Sequence, residues 1–237
     1  MTKDKTTIDK FKEGMVAAIP IVIGYFPIAM AFGLLAKNTL ISFRDTSLLS
    51  ILVYAGASQF MALDLIGAGV NGGSIILATF LLNLRHMMMS AALAVNFHII
   101  PKKFLPIIGF GITDETFSVI SFNKDKISSF FILTLNILSY CSWVIGTMVG
   151  YAVGEILPVS LQSSLSIGLY AMFAGLLFPE ISKSRNILFL SIISTLVYII
   201  LFYSNIFTSG WDIILGIIIS SALGVAFFSK DNKEGES

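Results

Sequence analysis

The chain has 237 residues, 56% hydrophobic and 12% charged, with a mean hydropathy of +0.89 and a formal net charge of +1. Soluble domains carry about 45–50% apolar and about 25% charged residues, so this composition indicates a polytopic helical membrane protein rather than a water-soluble fold. The near-neutral charge argues against a nucleic-acid partner, and the single Cys141 excludes an internal disulfide and argues against a thiolate metal site.

The N-terminal stretch "MTKDKTTIDKFKEG" is polar and reads as a short tail over 1–13. The apolar run Met15 to Ala36 that follows is too long for a signal-peptide core and reads as a retained first span, near 15–36. It contains Pro20, Gly24, Pro27 and Gly33, so a discontinuous helix broken at Pro20, Gly24 and Pro27 is expected. A second span, near 48–66, holds "YAGASQF", in which Gly56, Ala57 and Ser58 are small and Gln59 both donates and accepts hydrogen bonds. Unwound backbone at membrane depth is tolerated only where it lines a cavity or is buried in protein. Half-helix ends there can meet a zwitterion, although glycine and proline are also simply frequent in membrane helices.

The third span, near 74–95, contains "LLNLRHMMMSAAL". At helical periodicity Thr79, Asn83, His86 and Ser90 form one polar stripe. Arg85 lies about 160° around from Asn83 and shares its face with Ser74, Ala78 and Ala92. A central arginine costs about 2.5–3.5 kcal/mol on insertion, which the leucines, isoleucines and phenylalanines of the span offset only marginally. Arg85 is therefore either a clamp between helices or a group facing a solute path, and the His86 stripe is open to the same two readings.

The fourth span, near 104–122, is the weakest by hydropathy and carries Asp114 and Glu115 near its middle. A carboxylate without a partner in a dry segment takes a proton, and one that changes protonation with conformation couples a carrier to protons. If the segment does not cross, both acids are solvated. Apolar runs near 127–153, 162–178, 187–205 and 211–228 complete eight spans, followed by a tail over 229–237. With the N-terminus inside, ten lysines and arginines fall inside and four (Lys37, Arg44, Lys102, Lys103) outside, which favours cytoplasmic termini and a crossing fourth segment.

The whole chain reads as one all-α integral membrane domain, 1–237, with about eight spans. "AMAFGLL" at 29–35 is echoed by "AMFAGLL" at 171–177, compatible with an inverted repeat or with chance in an Ala/Leu/Gly-rich chain. Asp64, Glu155, Glu180 and Asp212 read as interfacial acids, Met87 to Met89 as flexible packing, and Trp211 as an interface anchor.

"GYFPIAMAFGLLA", "YAGASQFMAL", "LLNLRHMMMSAAL" and "TDETFSV", in this order, resemble the AzlC family of branched-chain amino acid permeases. The resemblance covers roughly Gly14 to Ser121. Beyond it, Ser166 and Tyr170 stand where an acidic residue and a proline are expected in the family. The resemblance implies a proton- or ion-driven carrier in the bacterial inner membrane, exporting hydrophobic amino acids with a small AzlD-type membrane subunit, and no cofactor. The candidate site is then Gly56, Ser58, Gln59, Asn83, Arg85 and His86 for the solute, with Asp114 and Glu115 for proton coupling or a charge pair. Two other classes compete. One is a non-transporting assembly subunit. The other is a membrane hydrolase using Ser58 and His86, which lacks both the Gly-x-Ser-x-Gly elbow and the His-Glu-x-x-His motif.

Overall fold

A computed structural model describes residues 6–154, 184–204 and 211–228, isolated positions between 156 and 182, and only the backbone of 211–214 and 228. The span expected near 162–178, the echo at 171–177, Glu155, Ser166, Tyr170, Glu180 and the tail 229–237 lie outside the described residues or, for the two segments, mostly so. The described residues are helical, with no strand. In chain order the helices are α1 (Thr7–Asn38), α2 (Phe43–Leu52), α3 (Gly56–Gly67), α4 (Gly72–Ala94), α5 (Leu105–Phe110), α6 (Asp114–Phe122), α7 (Ser129–Val153), α8 (Arg185–Ser204) and α9 (Trp211–Phe228). Among the described residues α1, α4, α7 and α8 are long and apolar enough to cross a membrane, and Leu215–Phe227 is a shorter apolar stretch. The protein is a multi-pass, all-α membrane protein.

The helix starts follow from side-chain caps. Thr6 and Asp9 form a reciprocal capping box at α1. Ser42 caps α2 through Asp45 N, and Ser128 caps α7 through Phe131 N. Asn71 Oδ1 accepts from Ser74 N at the start of α4, after a turn at Gly69 with φ +71.

Two compact units result, Met1–Phe60 with Asn83–Leu169, and Met61–Leu82 with Tyr170–Ser237. The first is organised by α1 and α7. Gly14 lies against Phe131 and Thr134, Gly146 against Phe26 and Ala29, and Gly150 against Met30. Small residues bring the two backbones together in the way membrane helices favour. Rising numbers on α1 meet rising numbers on α7, so the two helices run parallel. Parallel spans need an odd number of crossings between them. Crossings by the α2–α3, α4 and α5–α6 segments would satisfy this count, in keeping with the expected fourth span.

Two expectations are revised. The helix break expected at Pro20, Gly24 and Pro27 does not occur: α1 is continuous, with both prolines inside it. Each proline forfeits one backbone hydrogen bond, a loss tolerated where a neighbouring helix covers the gap. Here α7 lies alongside, and Ser142 Oγ donates to the Val22 carbonyl at 2.9 Å, next to the Ile23 carbonyl that Pro27 cannot bond. The 104–122 segment is two short helices rather than one, separated at Gly111–Thr113. Thr113 caps α6 through Thr116 N, and the acids Asp114 and Glu115 occupy its first turn, where the helix dipole favours them. Asn136 Nδ2 donates to the Ile108 carbonyl and packs on Gly111, filling the gap.

In the second unit Leu65 and Ala78 are buried, with Met61, Val70, Ile75 and Leu81 around them. The α8–α9 hairpin packs closely at Gly224, where an added Cβ would sit 2.9 Å from Leu190.

Candidate functional site

The second span is discontinuous, as the "YAGASQF" stretch suggests. α2 ends at Leu52 and α3 begins at Gly56, with Tyr54 at φ +45 between them. A non-glycine residue rarely takes that conformation, and surrounding bonds hold it. Gln59 Oε1 accepts from Ala55 N at 3.2 Å and from Trp143 Nε1 at 3.1 Å, while Gln59 Nε2 donates to Ser50 Oγ at 3.1 Å. Ser50 and Thr147 hydroxyls lie 2.8 Å apart, and Thr147 Oγ1 donates to the Trp143 carbonyl. The amide orientation follows, because Ala55 N–H and Trp143 N–H can only donate. The chain of bonds returns to Trp143 and ties the break to α7. Gly56 is required there, because a Cβ would lie 2.7 Å from the Trp143 ring.

Ser58 is fully buried, donates to the Ala55 carbonyl at 2.9 Å, and accepts from Asn83 Nδ2 at 3.0 Å. The polar stripe of α4 thus meets the break through Asn83. His86, one turn on, is half-buried. The Ser58 hydroxyl proton is committed to Ala55, and no bond joins Ser58 to His86 among the described residues, so the pairing a hydrolase needs is not formed.

Arg85, on the other face of α4, pairs with Asp114: Nη2 to Oδ2 is 3.1 Å, with side chains 33% and 26% exposed. Glu115 turns elsewhere and accepts a hydrogen bond from the Tyr25 hydroxyl of α1. The same hydroxyl lies 2.7 Å from Thr113 Oγ1, at the α5–α6 break. The Tyr25 ring packs edge-on to Tyr54, centroids 6.5 Å apart, and to Trp143 at 5.5 Å. Tyr54 also touches Phe110 and Tyr140, at 6.0 Å and 5.1 Å. Tyr25 therefore joins both helix breaks, one through its hydroxyl and one through its ring.

The candidate residues accordingly gather around α3 and α6 inside one compact unit. Tyr54 Oη, Asn83 Oδ1 and Arg85 Nε are buried without a hydrogen-bond partner among the described residues. Tyr25, Tyr54, Ser50, Thr113 and Trp143 are the members that sequence reasoning omitted. Trp143 carried a usable signal: it lies at mid-span, away from the interfaces where membrane tryptophans concentrate, and its N–H needs an internal acceptor. No group of three or more potential metal ligands occurs among the described residues.

Comparison with known proteins matches residues 20–157 to the family described as AzlC protein. An uncharacterized membrane protein of Archaeoglobus fulgidus is 37% identical over 75% of this chain and 78% of its own length. The Escherichia coli inner membrane protein YgaZ is 29% identical over 75% of this chain and 76% of its own. The Bacillus subtilis branched-chain amino acid transport protein AzlC is 24% identical, covering 74% and 70%. No solved structure matches at a significant level.

Proposed function

This chain belongs to the AzlC family, and from that premise we propose that it is a secondary carrier exporting branched-chain or other hydrophobic L-amino acids across a bacterial inner membrane. In this reading proton flow drives export, and a small AzlD-type membrane subunit is the partner. The whole chain is one integral membrane domain, with cytoplasmic tails at 1–13 and 229–237, the orientation favoured by the lysine and arginine bias.

The observation that carries the reading is the meeting of two helix breaks at Tyr25. Breaks at membrane depth place helix ends where a zwitterion can use them. Gly56 keeps the start of α3 close to Trp143. Ser58, Asn83 and the Tyr54 Oη and Asn83 Oδ1 atoms, which have no partner among the described residues, offer polar contacts beside an aromatic wall that suits an apolar side chain. Gln59 fixes the break in place. Arg85 and Asp114 neutralise each other and hold α4 to α6, with His86 beside them. Glu115 is the proton-coupling group: a proton on its carboxyl removes the charge that the Tyr25 O–H satisfies, which frees Tyr25 to leave both breaks.

The test is efflux of labelled valine from vesicles containing this chain, with and without the small subunit. Gradient-dependent efflux is expected in at least one case. Correctly inserted protein with no efflux in either would favour the assembly-subunit reading instead.

A further inference from the structure

A second site lies at the end of the membrane where α1 begins. A cavity of about 430 Å³ opens between α1 and the end of α6, within the range of small-ligand pockets, about 300–1,000 Å³. Val16, Ala17 and Val119 make its apolar wall, and Lys12, Asn123 and Lys126 its polar edge, with Glu13 as the acid present. On α1 the lining changes from charged to apolar going forward, Lys12 and Glu13 before Val16 and Ala17. On the α6 side it changes from apolar to charged, Val119 before Asn123 and Lys126. The two segments are antiparallel here, so both gradients point the same way, apolar inward and cationic at the mouth.

The polar edge is arranged in advance. Asn123 Nδ2 donates to the Val119 carbonyl at 2.9 Å, and Asn123 Oδ1 accepts from Lys126 Nζ at 2.8 Å. Two lysines against Glu13 leave the mouth positive. From the apolar wall a strip of exposed apolar side chains, Val16, Ile19, Ile23 and Phe26, continues along α1. Its spacing of three and four residues keeps it on one helix face.

We propose that this cavity binds an anionic phospholipid, with the phosphate at Lys12 and Lys126 and an acyl chain along Val16, Ile19 and Ile23. Charge complementarity selects the headgroup, and the apolar strip separates a lipid from a free phosphate. Basic pockets between membrane helices take anionic headgroups in this way.

The test titrates the purified full-length chain in detergent with short-chain phosphatidylglycerol, phosphatidylcholine and free glycerol phosphate, reading bound copies by native mass spectrometry. Phosphatidylglycerol should bind, and the other two should not at the same concentration. K12Q/K126Q should weaken binding by about a factor of five per lysine, roughly thirtyfold for the pair. K10Q/K124Q, which removes equal charge from residues outside the cavity lining, should leave it unchanged. Equal loss in both pairs would overturn the site in favour of diffuse attraction. Equal binding of glycerol phosphate would overturn it as a lipid site. Should K12Q/K126Q fail to fold, K12Q alone, on an exposed side chain, must show the fivefold loss.

Discussion

Arg85 and Asp114 form an ion pair, Nη2 to Oδ2 3.1 Å, while the next residue, Glu115, turns to Tyr25. Adjacent residues on a helix point about 100° apart, so the first turn of α6 offers one carboxylate to α4 and the other to α1. Two acids that look equivalent in the sequence therefore have different partners.

The ion pair should behave as a unit. Arg85→Ala or Asp114→Asn alone leaves one charge without its partner in a half-buried site. The double variant removes both. Thermal unfolding in detergent should give a coupling energy on the order of 1–3 kcal/mol, with the double variant more stable than the sum of the singles. Strict additivity would show that the pair contributes nothing to stability.

Tyr25→Phe keeps the ring contacts with Tyr54 and Trp143 but removes the hydroxyl between Thr113 and Glu115. Valine efflux should fall at least as much as in Glu115→Gln, by about tenfold or more, while the fold persists. The loss of a hydrogen bond to a charged group, about 1.5–3 kcal/mol, sets this scale. Unchanged efflux in both variants would remove the proton-coupling role from Glu115.

Gly24→Ala tests the continuity of α1. An added Cβ meets nothing within 4 Å there, so the change should stabilise the protein by about 0.5–1 kcal/mol and spare efflux. Gly150→Ala puts a Cβ into the Met30 backbone and should cost about 1–3 kcal/mol or more. Loss of efflux in Gly24→Ala with its fold intact would mean that α1 needs a hinge at Gly24.

Gly56→Ala pushes on the Trp143 ring and strains its bond to Gln59. In a Trp211→Phe background, Trp143 fluorescence should shift, and the melting temperature should fall, by an amount matching roughly 1–3 kcal/mol. Gln59→Leu should produce the same spectral shift. Different spectra for the two variants would separate Gly56 from the network.

The membrane class, the break at "YAGASQF" and a carboxylate partner for Arg85 were legible because each is local: a composition, a run of small residues, a charge seeking its opposite. The continuity of α1 was not, because Pro20 and Pro27 each remove one backbone bond without ending a long helix that packs along α7 through small residues. Gln59 looked open to solute, but its oxygen accepts from Ala55 and Trp143 and its amide nitrogen donates to Ser50, with Trp143 coming from 84 residues away. The split at Gly111–Thr113 was hidden inside a run that meets the hydropathy of a span, although the Thr113 cap with Asp114 and Glu115 behind it has the pattern of a helix start. Tyr25 carries no pattern of its own. Its importance comes from a position shared by two breaks that the sequence separates by about sixty residues.

In the proposed carrier, solute passes at the Val53–Ala55 break. Ala55→Cys in a Cys141→Ser background, reconstituted in vesicles that transport valine, can be labelled with a small thiol reagent. Valine should slow the labelling, and aspartate and lysine should not. An unchanged rate with valine present, in vesicles that still export it, would place the solute path elsewhere.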